Sequence, residues 1–555
     1  MNWLLALAFL TPLTLAILLS VAELRTWLRP LIPWSALPAL LSALFVPLGT
    51  TVAWPGVLFG VEFTLDATGQ VFLLFTALLW LAASWFERGW EKGDRWAHTF
   101  EMCWLLAMAG NIGLILAADV ASFYLFFAMM TFAAWGLVIH ERSEAALHAG
   151  TVYIVLAILG EGMLLAGLLL AVASAGGEVA LAALPAAIAE APWQGIIVAL
   201  LLGGFGIKAG MLPLHAWLPL AHPAAPVPAS AVLSGVMIKA GLFGWLRFLP
   251  LGEVALPEAS QVVIVLGLAG AFFGVGYGLV QHNIKAVLAY SSVSQMGVMV
   301  TILGVGLGQP ALWPLLLPAL SLYALHHAFT KGLLFLSVGM AMRLGPTRLI
   351  LIASALAALS LAGAPLAGGA LAKGAIKAPL PEDYGYLTWL LALGAAGTTL
   401  LMLRFMQLLR AKPLPTTPQA EGLWGGWGLA LLACLFGPWL AALWLLEVTI
   451  SIKLWAALWP LLLGAALAWL LLRRALPNWP AGDIAESCSK GLKHLHQHSP
   501  RPELPQHWWQ QLGHRLQQLH RRATAQDMMD SLSGLALLLV ALMLYLGLGG
   551  WWNGG

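Results

Sequence analysis

Apolar residues run along this chain in long stretches separated by short polar loops. About 16 stretches reach the roughly 20 residues that an α-helix needs to cross a bilayer. They fall near 2–21, 31–50, 68–86, 98–118, 119–139, 147–175, 192–219, 224–250, 258–281, 284–307, 311–341, 346–378, 386–410, 421–447, 450–472 and 528–549. Between the second and third stretches the pattern changes. Residues 53–67 alternate apolar and polar, as a short β-hairpin does. The expected fold is therefore an all-α polytopic membrane protein carrying one small hairpin.

Composition agrees. Hydrophobic residues make up 61% of the chain and charged residues 9%, with a mean hydropathy of +0.87. Soluble domains carry about 25% charged residues, so a soluble globular protein, a disordered chain and a nucleic-acid binder are excluded. The runs are continuous rather than alternating, which excludes a β-barrel. Cys103, Cys434 and Cys488 are isolated, with neither a disulfide pattern nor a metal-binding spacing. The first run lacks a basic leader and a small-residue cleavage site, so it reads as a retained span.

Loop charges predict the orientation. Arg25, Arg29, Arg88, Lys92, Arg95, Arg142, Lys285, Arg343, Arg348, Arg410 and Lys412 follow odd-numbered spans. The loops after spans 2, 4, 6 and 10 carry no Lys or Arg, and the exceptions on that side are Arg247, Lys377 and Lys453. By the positive-inside rule this places both termini outside a bacterial cytoplasmic membrane. Residues 473–527 hold eight basic side chains against four acidic ones, so they are expected to be cytoplasmic. Within them Trp508, Leu512, Leu516 and Leu519 share a helical face, as in an amphipathic helix lying on the bilayer surface. His494, His496 and His498 alternate in a loop and do not read as a metal site.

Few ionisable residues fall within the spans: Glu161, Lys208, Lys239, His326, His327, Lys331, Lys373 and Arg404. Charges in hydrocarbon are costly and usually functional. A row of lysines with few acidic partners is a poor stabilising device, whereas lysines taken out of water can exchange protons near neutral pH. The row reads as a proton relay. Two of its lysines lie in spans interrupted by Gly and Pro: Lys208 near Gly203, Gly204, Gly206 and Pro213, and Lys373 between Pro365 and Pro379. Such interruptions free backbone carbonyls and mark cavities, and a matched pair of them points to inverted repeats. Lys208 and Lys373 lie 165 positions apart, and the same offset joins Lys239 to Arg404 and Glu161 to His326. The expected organisation is spans 1–3 over 1–97, one five-helix repeat over 98–250, a second over 251–412, spans 14–15 over 413–472, the basic segment over 473–527 and a last span within 528–555.

The stretches KAGMLPLHAWLPLAHPAAPVPASAVLSGVMIKAGLFG (208–244), NIKAVLAYSSVSQMG (283–297), HHAFTKGLLFLSVG (326–339) and LSLAGAPLAGGALAK (359–373) carry a resemblance. The chain resembles the antiporter-like, proton-translocating membrane subunits of respiratory complex I. That family also includes subunits of Mrp cation/proton antiporters and of membrane-bound hydrogenases. The wording around His222 is most similar to the hydrogenase-type branch. The resemblance implies that Lys208 pumps or relays the proton, Lys239 bridges, His327 and Lys331 join two half-channels, and Lys373 opens to the far side. It also sets Lys285, Ser291, Ser292 and Gln295 at the start of span 10, and Pro213, His215, His222 and Pro365 at or near the helix breaks.

Two departures stand out. Ala128, after Phe126 and Phe127, occupies the place of the family's span 5 glutamate, for which Glu161 is the candidate substitute. Tyr323 occupies a place often held by histidine.

The expected function is proton translocation within a larger energy-converting complex, because the chain shows no nucleotide fingerprint and no cluster ligands. No cofactor is expected, and catalysis by the chain alone is left open. Expected partners are lipid, protons with Na⁺ as an alternative ion, and other subunits: a redox module, or a zinc-containing carbon-hydrating protein. The alternative functions are a proton-coupled subunit of an inorganic-carbon uptake complex, a stand-alone cation/proton antiporter, and a haem or quinone subunit using His215 with His326 or His327.

Overall fold

The computed structural model describes residues 2–56, 60–90, 94–416, 421–446, 448 and 453–482. The expected surface helix and last span lie outside them. In chain order the helices are α1 (Asn2–Leu18), α2 (Arg25–Leu28), α3 (Leu37–Phe45), α4 (Ala67–Trp90), α5 (Ala97–Leu116), α6 (Val120–Val138) and α7 (Glu144–Ser174). There follow α8 (Leu184–Ala189), α9 (Gln194–Ala209), α10 (Trp217–Ala224), α11 (Val227–Val232), α12 (Lys239–Phe248), α13 (Pro257–Leu279) and α14 (Ile284–Gly308). The remainder are α15 (Trp313–Leu344), α16 (Arg348–Ala362), α17 (Gly368–Lys377), α18 (Gly385–Arg410), α19 (Leu423–Trp444) and α20 (Leu454–Leu471). Among the described residues, 12 helical segments are long and apolar enough to cross a membrane, and α1, α9 and α16 are shorter apolar helices. Helices dominate because a backbone in hydrocarbon must satisfy its own polar groups.

The expected hairpin forms slightly earlier than its pattern suggested. Strands β1 (Thr51–Trp54) and β2 (Val61–Thr64) pair antiparallel, with Thr51 opposite Thr64. Phe63 stacks on Phe9 of α1 at 4.4 Å, and the Glu62 amide donates to Asp119, the residue that caps α6. Arg247, an exception to the loop-charge asymmetry, donates to both carboxylate oxygens of Asp66 just before α4. Its charge is thus neutralised within the fold.

The core centres on α14, whose residues from Ile284 to Leu307 are all buried. Asn283 opens this helix by accepting from the amides of Lys285 and Ala286. Helix α13 lies against it through glycines. A Cβ on Gly267 would lie 2.5 Å from the Thr301 amide nitrogen, and one on Gly274 2.5 Å from the Tyr290 carbonyl oxygen. Small residues let backbones approach in this way where lipid provides no hydrophobic drive.

Both expected interruptions are present. Helix α9 ends at Gly210 (φ 70°) and the chain resumes as α10; α16 ends at Gly363 (φ 96°) and resumes as α17. The lysines are not equivalently placed about these breaks. Lys208 lies in the last turn before the first, whereas Lys373 lies in the half-helix after the second. The 165-residue offset therefore joins opposite sides of two breaks. Aligning the capping glycines gives an offset of 153 positions instead. The run at 224–250 is also not one regular helix: a π-helical turn, Leu233–Met237, separates α11 from α12.

Candidate functional site

Lys208, Lys239, Lys331, His326 and His327 are all buried, on α9, α12 and α15. Lys208 donates to the hydroxyls of Tyr153 at 3.0 Å and Thr131 at 3.2 Å. It shares a cavity of about 20 Å³ with Glu161, Phe127, Thr131, Tyr153 and Trp217. That volume admits one water. The carboxylate that faces Lys208 is thus Glu161, from α7. Ala128 is only half-buried, and it is Phe127 and Thr131 of α6 that face the cavity. At the break below Lys208 the Ile207 carbonyl accepts from the Gly210 amide at 3.2 Å and from the Trp217 indole at 2.7 Å.

The middle of the row lies where α12, α14 and α15 meet. Lys239 donates to the Ser234 carbonyl at 2.6 Å, within the π-helical turn. The Ser234 hydroxyl pairs with that of Ser292 at 2.7 Å. Lys331 donates to the Leu288 carbonyl at 2.6 Å and to the Ser291 hydroxyl. The Ser292 hydroxyl donates to the same Leu288 carbonyl. His327 is fully buried within electrostatic range of Lys239 and Lys331, and neither ring nitrogen has a hydrogen-bond partner among the described residues. Its neighbour His326 points elsewhere and bonds the Ser360 hydroxyl at 3.0 Å, beside the second break.

At the far end Lys373 folds back across that break and donates to the Ala362 carbonyl at 2.9 Å. It borders a second cavity, of about 10 Å³, with Lys377, Gln295, Tyr323 and Thr398. There the Tyr323 hydroxyl donates to the Gln295 amide oxygen at 2.8 Å, and the Gln295 amide nitrogen donates to Thr398 at 3.0 Å. Tyr323 thus acts as a hydroxyl partner where histidine was expected.

The other expected residues divide. His222, on α10, is fully buried and stacks on Phe335 at 4.7 Å. His215 and Pro213 lie in the first break, where His215 meets Phe273 edge-on at 5.0 Å, and Pro365 lies in the second. Arg404 stands apart from the row: it donates to Gln407 and to the Gln281 carbonyl beyond α13, joining a helix end to a loop. Among the described residues no group of three or more His, Cys, Asp or Glu side chains converges as a metal site.

Tyr153, Thr131, Trp217, Ser234, Ser360 and Thr398 were not expected in the site. Tyr153 carried a readable signal. It precedes Glu161 by eight positions, with Ala157 between them, on one helical face. The hydroxyls carried none, because mid-helix Ser and Thr usually bond their own backbone.

The sequence profile described as NADH:quinone oxidoreductase/Mrp antiporter, TM, matches residues 117–393. Hydrogenase-4 component B of Escherichia coli K12 is 30% identical over 240 residues, covering 42% of this chain and 36% of that protein. NADH-quinone oxidoreductase subunit N of Desulforudis audaxviator is 29% identical over 297 residues, covering 52% of this chain and 57% of that one. The matches to these relatives span from about a third to just over half of their own length. A chain of the Mrp complex from Dietzia sp. DQ12-45-1b superposes with a TM-score of 0.73 at 21% identity, covering 94% of this chain and 63% of that one. A chain of the archaeal membrane-bound sulfane sulfur reductase superposes with a TM-score of 0.67 at 20% identity, covering 83% of this chain and 98% of that one. These structures share the fold. The chain belongs to the family of antiporter-like membrane subunits found in NADH:quinone oxidoreductases, Mrp antiporters and hydrogenase-type complexes.

Proposed function

We propose that the chain translocates protons as one subunit of a larger energy-converting complex in a bacterial cytoplasmic membrane, with both termini outside. The observation that supports this most is how the buried ammonium groups are held. Lys239, Lys331 and Lys373 each donate to a neutral backbone carbonyl. A charge taken out of water without a counter-charge costs several kcal/mol, so these lysines are poor structural choices and good proton carriers. The path runs from Glu161 and Lys208 through Lys239, then His327 and Lys331, then His326, to Lys373. Glu161 takes the part of the acid absent at Ala128. The partner subunits supply the energy, and the likeness to a hydrogenase-4 component favours a redox module over a carbon-hydrating protein. Spans 4–8 and 9–13 act as two half-channels.

The test is proton flux. The purified chain, with the subunits that co-purify from native membranes, is reconstituted into vesicles enclosing a pH-sensitive dye, and a pH difference is imposed. Lys208→Ala, Lys331→Ala, Lys373→Ala and Glu161→Gln each abolish flux. Unchanged flux in Glu161→Gln removes that residue from the path. Unchanged flux in all three lysine variants removes the proposal. Flux that requires Na⁺ identifies a cation/proton antiporter instead.

A further inference from the structure

Helices α16, α18 and α20 enclose a groove of about 730 Å³ that nothing described above uses. Its walls are apolar: Ala358 and Leu359 on α16, Met402 and Met406 on α18, and Ala468 and Trp469 on α20. Among the described residues helix α20 is peripheral and buries only Pro460, Gly464 and Ala468, so the groove lies on the outside of the described helices. One end is different. Arg410, in the last turn of α18, lines the mouth, and Arg473 lies 4.1 Å over the ring of the wall residue Trp469. Both arginines are exposed, and Arg474 follows, also exposed.

We infer that this groove holds one acyl chain of an anionic diacyl phospholipid, with its phosphate bound by Arg410 and Arg473. Three features converge on that occupant. The volume matches sites for small apolar ligands. Away from the mouth only Thr399 and Gln407 are polar. The Thr399 hydroxyl bonds the Ala395 carbonyl of its own helix and the Gln407 amide oxygen accepts from Arg404, so the long walls offer little for a peptide backbone to bond, which suits a hydrocarbon tail. Guanidinium groups pair with phosphate bidentately, and a tryptophan beside them is at home at headgroup depth. The basic rim makes the choice anionic rather than zwitterionic.

The groove's inner end reaches Ala362. That is the residue whose carbonyl holds the Lys373 ammonium. A bound tail therefore walls the second helix break against lipid disorder and water from the side, where α16 and α20 alone leave a gap. The lipid site itself stands independently of proton translocation.

The experiment is native mass spectrometry of the full-length chain, with its co-purifying subunits, released from nanodiscs containing equal phosphatidylglycerol and phosphatidylcholine. The wild type is expected to retain one phosphatidylglycerol in preference to phosphatidylcholine. Arg410→Gln with Arg473→Gln is expected to weaken that preference by roughly ten- to thirtyfold. Ala468→Phe, which fills the groove, is expected to abolish retention of both lipids while the arginines stay. Gel filtration and far-ultraviolet circular dichroism establish that each variant is folded. Equal retention of the two lipids by the wild type overturns the headgroup assignment. Unchanged retention in Ala468→Phe overturns the groove. Retention of a protein subunit in place of lipid, lost in Ala468→Phe, overturns the occupant. Proton flux in the same preparations separates the two proposals: lost lipid preference with intact lysine-dependent flux leaves both standing.

Discussion

Gly369 is the position at which one methyl group tests the second helix break. A Cβ added there would overlap the Ser360 carbonyl oxygen, lie 2.8 Å from its carbon and lie 3.1 Å from His326 Nε2. Non-bonded heavy atoms prefer about 3.5 Å or more, and the overlapping oxygen makes the largest demand, so α17 and α16 must separate by well over about 1 Å. The atoms in the way are backbone, and no side-chain rotation relieves them. The same Cβ presses on both Ser360 and His326, so the His326–Ser360 hydrogen bond between α15 and α16, now 3.0 Å, is expected to be lost as its two partners are displaced. Overpacking costs about 1–3 kcal/mol and a lost buried bond about 1 kcal/mol more. Gly369→Ala is therefore expected to cost about 3 kcal/mol and to stop flux through Lys373. Gly162→Ala is the matched control, because a Cβ there meets nothing within 4 Å. A mid-helix Gly→Ala change of that kind stabilises by about 0.5–1 kcal/mol. Thermal unfolding followed by gel filtration gives stability, and the vesicle assay gives flux. Wild-type stability and flux in Gly369→Ala would refute the close approach of the two half-helices.

Three further outcomes follow from the geometry. Tyr153→Phe removes a hydrogen bond to an ammonium, worth about 1.5–3 kcal/mol, and the Tyr153 bond to the Thr131 carbonyl, and should lower the melting midpoint and slow flux at least about tenfold; vesicle flux measured well below that lowered midpoint checks this. Trp217→Phe removes one of the two donors to the Ile207 carbonyl, which keeps the Gly210 amide, and should cost about 0.5–1.5 kcal/mol, read as a lower melting midpoint. Burial alone would raise the Asp66 carboxyl's affinity for protons, but the Arg247 hydrogen bond and charge outweigh it and hold its pKa below the usual value. The ion pair is therefore fully present above about pH 4 and is lost as pH falls through the lowered value. The wild-type melting midpoint should drop over that acid range, whereas Asp66→Asn should start lower at neutral pH and show less of the drop.

The spans were legible because a helix in hydrocarbon leaves a run of apolar residues that needs no tertiary information. The two breaks were legible from Pro213 and Pro365 and the glycines near them, since those residues limit the backbone whatever surrounds them; the capping glycines themselves, Gly210 and Gly363, were not singled out. The numerical offset between Lys208 and Lys373 misled, because equal spacing in a chain does not fix which side of a break a residue occupies. Arg404 was read into the relay as an ionisable residue within a span, with the same spacing in support, and the fold shows it bonded to the Gln281 carbonyl. The hydroxyls of Thr131, Ser234 and Thr398 could not be singled out, because their roles depend on which neighbouring helix they meet. Glu161 was visible as a buried acid, but that it faces Lys208 across α6, α7 and α9 required the packing.

The carbonyls that hold Lys239 and Lys373 belong to irregular backbone, a π-helical turn in one case and a helix end in the other. Each ammonium is thus a strut across a joint. Hydrogen bonds to charged groups contribute about 1.5–3 kcal/mol, and neutral ones nearer 1 kcal/mol. On the proposed proton path, an amine that has lost its proton would still donate, but the strut would slacken. Each charge transfer would then change the stiffness of a hinge in the same event, and a load placed on that hinge would act back on the charge.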